Sequence, residues 1–331
     1  GIPFLITSFQ NGFEKMDENP VELAIVIPFY KAGHFRELLA ALAAQTDKRF
    51  NVYIGDDCSA DAVKDLLTEF EAVLPIRYVR FAARLGHISL TRQWERCVAL
   101  VEANEEWVWV LPDDDLPSTN CVHEFYRAVG DADANQVKAF RFPIDFIDAA
   151  GTCLLQNAEI NSDIETGYQY FERAMNGEIA TSLGDVIFNR QALSDNGGFV
   201  DFPQAWGSDQ ATVIRTAHGA NIQVLHRGRL GFRMSGMNIS SQKSDGLQKI
   251  RARIEFARWL KHNEHLLAGA NLALIYRKFA LKHDYYFVND WGFSWAVWWH
   301  LYRLRIICAG DYSPLPLMKL LLLRLLRKTG K

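Results

Sequence analysis

The 331-residue chain is 49% hydrophobic and 23% charged, the balance of a soluble globular protein, and its net charge of −3 argues against a general nucleic-acid binder. It is long enough for one large α/β domain plus an appendage, with a core that needs no disulfide or metal staple. Cys58, Cys97, Cys121, Cys153 and Cys308 form no C-x-x-C pair and read as reduced thiols, which places the chain in a reducing cytoplasm.

Residues 1–20 lack a basic start followed by a long apolar run and read as an N-terminal arm, with Met16 a candidate natural start. Leu23–Pro28 is a continuous apolar run, as expected of a strand buried on both faces. Phe35, Leu38, Leu39 and Leu42 follow at helical spacing, then a strand over Phe50–Gly55 and a helix stripe of Val63, Leu66, Leu67 and Phe70. Ile76–Phe81 reads as a third strand. Leu90, Trp94, Cys97, Val98 and Val101 mark a third helix, and Trp107–Leu111 a fourth strand. Such alternation predicts a Rossmann-like, mostly parallel α/β sheet flanked by helices, with ligands beyond the carboxyl ends of the strands. Strands are then expected over Val137–Ile147 and Thr181–Phe188, with a helix near Tyr168–Met175 between them. A turn at Gly197–Phe199 leads to a helix near Ser208, its candidate N-cap, and Ile222–Leu225 and Leu230–Phe232 are short strands. From Ser244 the chain reads as wholly helical. No stretch reaches the roughly 18 apolar residues of a membrane span.

Two acidic groups end predicted strands. Asp113-Asp114-Asp115 repel one another unless something compensates, and a hard divalent cation does so through carboxylate oxygens; a solvated acidic turn, with Ser118 capping a following helix, is the plainer alternative. Asp56-Asp57 precede a helix that Ser59 or Asp61 would cap, while the Asp57 carboxylate also suits a nucleobase N–H. Asp209, in the first turn of a late helix, is either a helix-dipole partner or a general base. Arg92 and Arg233 are candidate phosphate or nucleotide contacts, or ordinary surface arginines. His87, His218 and His226 show no metal-ligand spacing.

In order, AIVIPFYKAG, YIGDDCSAD, LTRQWERCVAL, WVLPDDDLP and GGFVDFPQAWGSDQATVIR resemble the family 2 glycosyltransferases over about Leu23 to Ser240. The resemblance implies a GT-A fold and inverting transfer from a nucleotide-diphospho-sugar. Residues 21–240 would be the catalytic domain and 241–331 a helical extension. By the same resemblance Pro28, Phe29, Tyr30 and Asp57 line the nucleobase pocket, and Arg92 and Asp113–Asp114 face the nucleotide. Asp115 and Asp113 hold Mn²⁺ or Mg²⁺, Asp209 is the catalytic base, and Arg233 and Ser235 close over the diphosphate. GFRMSGMNIS lacks the histidine that some relatives use as a further metal ligand, and no Q-x-x-R-W run follows, which favours transfer of a single sugar. Asp57 favours a uridine donor.

Pro316–Lys331 puts Arg324, Arg327, Lys328 and Lys331 on one helical face and leucines with Met318 on the other. This predicts either an element lying in an anionic membrane surface or a helix packed on the domain. With the resemblance, it suggests a peripheral enzyme at the inner face of the membrane, acting on a glycan or lipid-linked acceptor in bacterial surface polysaccharide assembly. A non-catalytic scaffold homologue is the alternative. A sugar-phosphate nucleotidyltransferase is disfavoured, because FYKAGH stands where its glycine-rich basic loop belongs.

Overall fold

The computed structural model describes residues 22–60, 63–131, 136–157, 163–234, 246–290, 295–309, 315, 317–319 and 322. The apolar run Leu23–Phe29 becomes β1, the innermost strand of a parallel unit. Strand β2 (Phe50–Asp56) pairs with it in parallel, β3 (Ile76–Arg80) lies beyond β2, and β4 (Trp107–Val110) flanks β1 on the other side. The crossovers are α1 (Phe35–Ala43), α2 (Lys64–Phe70) and α3 (Leu90–Val98). On α1 the predicted stripe Phe35, Leu38, Leu39 and Leu42 is wholly buried, each side chain contributing roughly 1.5–3 kcal/mol of transfer free energy.

The sheet continues through β10 (Val186–Asn189), antiparallel to both β4 and β6 (Val137–Arg141). Beyond these lie β11 (Asn221–Val224), parallel to β6, and the short edge strand β9 (Ile164–Glu165). The eight strands run in the order β3-β2-β1-β4-β10-β6-β11-β9. A smaller sheet, β5-β12-β7-β8, is built from β5 (Leu116–Pro117), β7 (Ile144–Ile147), β8 (Cys153–Gln156) and β12 (Leu230–Arg233). The strand expected over Val137–Ile147 is therefore two strands in two sheets. Pro143 lies in the break and has no N–H to continue a ladder. The strand expected over Thr181–Phe188 keeps only its second half, for residues 181–185 form a loop whose role appears below.

Helices α4 (Cys121–Asp131), α5 (Gly167–Asn176), α6 (Arg190–Asp195) and α7 (Ser208–Thr216) complete the sheet domain. Two expected caps are filled otherwise. The Ser118 hydroxyl accepts the Arg229 N–H instead of capping α4, and α7 starts from Gly207 at φ 94°, with Ser208 its first helical residue. Ser59 binds the Asp56 carboxylate, and Val63 stands at the N-cap of α2; Asp61 lies outside the described residues.

Alternate residues of β1 feed two cores, as strand geometry dictates: Leu23, Ile25, Ile27 and Phe29 face α1, while Ala24 and Val26 enter the other cluster. That second cluster also takes in the C-terminal helices α8 (Gly246–His262), α9 (Leu272–Asp290) and α10 (Trp295–Ala309). Phe256 of α8 meets Phe171 of α5 at 5.6 Å, stacks on Phe279 of α9 at 5.4 Å, and touches Phe202 at 5.4 Å. The helical region is thus packed into the sheet domain's own core. The expected boundary near residue 240 and the N-terminal arm fall outside the described residues.

Candidate active site at the carboxyl edge of the sheet

The parallel register brings the carboxyl ends of β1, β2 and β4 together, and with them the two predicted acidic groups. Pro28 faces Gly55 across the ladder, and Phe29 faces Asp56. Phe29 does not line a pocket: it is fully buried against Phe35, with ring centroids 4.6 Å apart. Tyr30 is half-exposed at the mouth, and the Arg84 guanidinium lies over its ring at 4.1 Å. The backbone N–H groups of Tyr30 and Lys31 both donate to Asp113 Oδ2, at 3.1 and 3.2 Å, locking the β1 end to the triple aspartate.

Asp57 is more occupied than its sequence context suggests. Its Oδ1 accepts the Leu85 N–H (2.6 Å), its Oδ2 accepts the Gly86 N–H (2.9 Å), and Arg96 forms an ion pair with it. A Cβ at residue 86 would stand 2.7 Å from Asp57 Oδ2, so glycine is needed for this approach. The arginine of α3 that meets Asp57 is therefore Arg96; Arg92, one turn earlier, is exposed. Arg96 also lies over the Phe81 ring at 3.9 Å. Its i+4 spacing from Arg92 was the only available signal, since both lie on one face of the helix.

Asp113, Asp114 and Asp115 all hold their protons more tightly than ordinary carboxylates. Burial, then the Asp114 charge, pushes Asp113 up to about 6. Burial raises Asp114, and burial with the Asp114 charge holds Asp115 well above the usual range. Asp115 is 1% exposed; its Oδ1 accepts the Arg233 N–H at 3.2 Å, and its Oδ2 is buried with no donor. A buried carboxylate oxygen without a donor costs about 1–3 kcal/mol, which a cation would offset. The donor set fits Mg²⁺ or Mn²⁺ held by one or two carboxylates plus substrate phosphate oxygens. Among the described residues no group of three or more His, Cys, Asp or Glu side chains converges into an all-protein cage.

Arg233 has a different place from the one its motif implied. It is fully buried, and its side chain donates to the Asp114 carbonyl (2.9 Å), the Asp148 and Ala149 carbonyls (3.3 and 2.6 Å) and Glu37 (2.7 Å). It thus anchors the acidic loop to β12 instead of reaching over a diphosphate. Glu37 in turn pairs with His34 Nδ1 at 3.3 Å, and the His34 charge acts on Asp114 while its Nε2 is buried without a partner. Sequence reading passed over His34 because no metal-ligand spacing marks it. Ser235 lies outside the described residues.

Asp209 lies half-buried in the first turn of α7, its carboxyl raised by burial and partly restrained by Arg253 of α8 and by a hydrogen bond from Thr181. The Thr181 hydroxyl also accepts from Gln210 Nε2 at 2.9 Å, and Gln210 Oε1 accepts from Arg253 at 3.1 Å. The loop before β10 links this acid to the triple aspartate. Thr181 touches Asp209, the Ser182 N–H donates to Asp185 at 2.9 Å, and a Cβ at Gly184 would stand 3.0 Å from Asp115 Oδ2. Three acids, Asp115, Asp185 and Asp209, are thereby gathered by five consecutive residues. Behind them Tyr170 of α5 is fully buried with its hydroxyl unpartnered, near enough to Asp185 and Asp209 for both charges to raise it. Asp201, in the turn before α7, accepts a hydrogen bond from Ser89 at 3.1 Å.

The model of the Glycosyl transferase family 2 matches residues 24–151, from β1 through the triple aspartate to the turn after β7. Among solved structures, the chain is similar to TarS 1–349 of S. aureus in complex with UDP-GlcNAc. That match has a TM-score of 0.66 at 16% identity over 87% of this chain and 81% of the other. It is similar also to the mannosyltransferase PcManGT of Pyrobaculum calidifontis in complex with GDP-Man and Mn²⁺, with a TM-score of 0.55 at 16% identity over 91% and 78% of the two chains. At such identities these likenesses show the fold alone, and no curated protein matches the chain in sequence. With its strand order and its two acidic strand ends in agreement with these likenesses, the chain has the GT-A fold, and its segment 24–151 is similar to glycosyl transferase family 2.

Proposed function

We propose that the chain is an inverting glycosyltransferase that moves one sugar from a nucleotide-diphospho-sugar, with UDP-sugars favoured, to a hydroxyl of a glycan or lipid-linked acceptor. The observation that carries this reading is the pairing of buried Asp115, whose Oδ2 has no donor, with the half-buried base candidate Asp209 across the Thr181–Asp185 loop. The nucleotide complexes of TarS and PcManGT, the second with Mn²⁺, support a nucleotide-sugar donor and a divalent metal here. Asp115 and Asp113 would hold the Mn²⁺ or Mg²⁺, which would supply Lewis-acid neutralisation of the diphosphate charge. Pro28 and Tyr30 border the base, Asp57 and Arg96 fix the loop beside it, Asp114 and Arg92 lie on the nucleotide side, and Arg233 holds the acidic loop in place.

Asp209 takes the proton of the acceptor hydroxyl as its oxygen attacks the anomeric carbon. The bond from that carbon to the diphosphate oxygen breaks, and the nucleoside diphosphate leaves with the electron pair. A single displacement from the opposite face inverts the configuration and needs no covalent enzyme intermediate. Burial helps, because a carboxylate with a raised pKa is the stronger base. We place the enzyme on the cytoplasmic face of a membrane, in assembly of a surface polysaccharide, on the strength of its basic, leucine-rich tail. A thermal-shift screen of nucleotide sugars with Mn²⁺ tests the donor class. A true donor at 100 times its dissociation constant adds about 2.7 kcal/mol of stability, whereas silence across all nucleoside diphosphate sugars would overturn the reading.

A further inference from the structure

The C-terminal helices leave large apolar side chains in water. On α10, Trp295 is 76% exposed and Trp299, one turn on, is 52% exposed; beyond that helix Leu315, Met318 and Leu322 are exposed by 69%, 54% and 57%. These are not the loose end of an unpacked tail. Leu317, between two of them, is fully buried against Ile250 of α8 and Val297 and Leu301 of α10, with Trp298 and Tyr302 packed on the same cluster. One side of the segment is thus an anchor and the other faces outward. The aromatic rings join the two rows: Trp295 meets Trp298 at 6.1 Å, Trp298 stacks on Tyr302 at 5.6 Å, and Trp299 meets Tyr302 at 6.0 Å.

Charge identifies what covers this surface. Residues 295–331 contain seven lysines and arginines against a single acid, Asp311, in a chain whose net charge is −3. A second copy of the chain, docked about a twofold axis, would bring this basic region against itself. An anionic bilayer instead complements it, and tryptophan rings favour the headgroup layer. Among the described residues no helix is long and apolar enough to cross a membrane, so the contact is with a surface. We propose that the Trp295–Trp299 row of α10, together with the outward Leu315, Met318 and Leu322, docks the protein on an anionic lipid bilayer. This deepens the membrane placement made above by naming the surface, and it holds or fails independently of the sugar transferred.

The test is co-sedimentation of the full chain with vesicles of phosphatidylcholine alone and of phosphatidylcholine mixed with phosphatidylglycerol. The wild type should bind the anionic vesicles and release them as salt is raised. A variant carrying Trp295→Ser and Trp299→Ser should keep its melting temperature, because both rings are exposed, and lose on the order of tenfold or more in vesicle binding. Absence of wild-type binding, or equal binding by the variant, overturns the proposal. Concentration-dependent dimerisation that the two substitutions abolish, without vesicle binding, would assign the surface to a second copy instead.

Discussion

Asp209 stands where two ordinary explanations meet, a helix-dipole partner and a general base. Burial raises its carboxyl above the usual range, and only the ionised form can take a proton. The acid limb of the rate profile should therefore lie above the ordinary aspartate range near 3.9, with activity lost as pH falls through it. Asp209→Asn keeps the shape and should cost about 10²- to 10⁴-fold in turnover while leaving nucleotide affinity within a few-fold; transfer at the wild-type rate would leave only the dipole role. Arg233 makes a contrasting prediction. Arg233→Met removes the buried guanidinium that ties three backbone carbonyls and Glu37 together, so it should lower unfolding free energy by about 3 kcal/mol, read by denaturant titration. The acids were legible because three adjacent carboxylates are conspicuous in any sequence. Arg233 and Arg96 were not, since whether an arginine reaches a ligand or knits two loops depends on contacts 119 and 39 residues away.

At the scale of elements, the parallel unit was readable because β1, β2 and β4 are near-continuous apolar runs and α1 and α3 keep a clear 3.6-residue stripe. What escaped included the short strands β5, β8 and β9 and the break at Pro143, where pairing across the fold, and not local pattern, decides the strand. The small sheet that β5 and β8 help to build pins the triple aspartate to β12, so the omission concealed how the site is held. The tail also differs from a detachable membrane element. Because Leu317 is buried in the α8–α10 cluster, Leu317→Ala should cost about 2 kcal/mol, near the low end for a core leucine, whereas Met318→Ala beside it should leave the melting temperature nearly unchanged. Equal melting curves for the two variants would show that the packing contributes nothing. Gly207 belongs to this scale as well. At φ 94°, with a Cβ reaching within 2.5 Å of Arg253, Gly207→Ala should loosen the start of α7 and lower both stability and transfer.

For the whole molecule, the proposed nucleotide and metal groups stand at one edge of the sheet and the proposed base stands on α7. The helices α8–α10 share the core that supports α7 and carry the outward tryptophans. The donor side of this arrangement can be examined without knowing the acceptor. The most direct measurement is a calorimetric titration of UDP into the wild type and Asp115→Ala, each with Mn²⁺ and with EDTA. Tight binding is expected only for the wild type with Mn²⁺, and weak binding by Asp115→Ala whether metal is present or not. Equal affinity in EDTA, or an Asp115→Ala variant that keeps metal-dependent binding, would contradict this expectation.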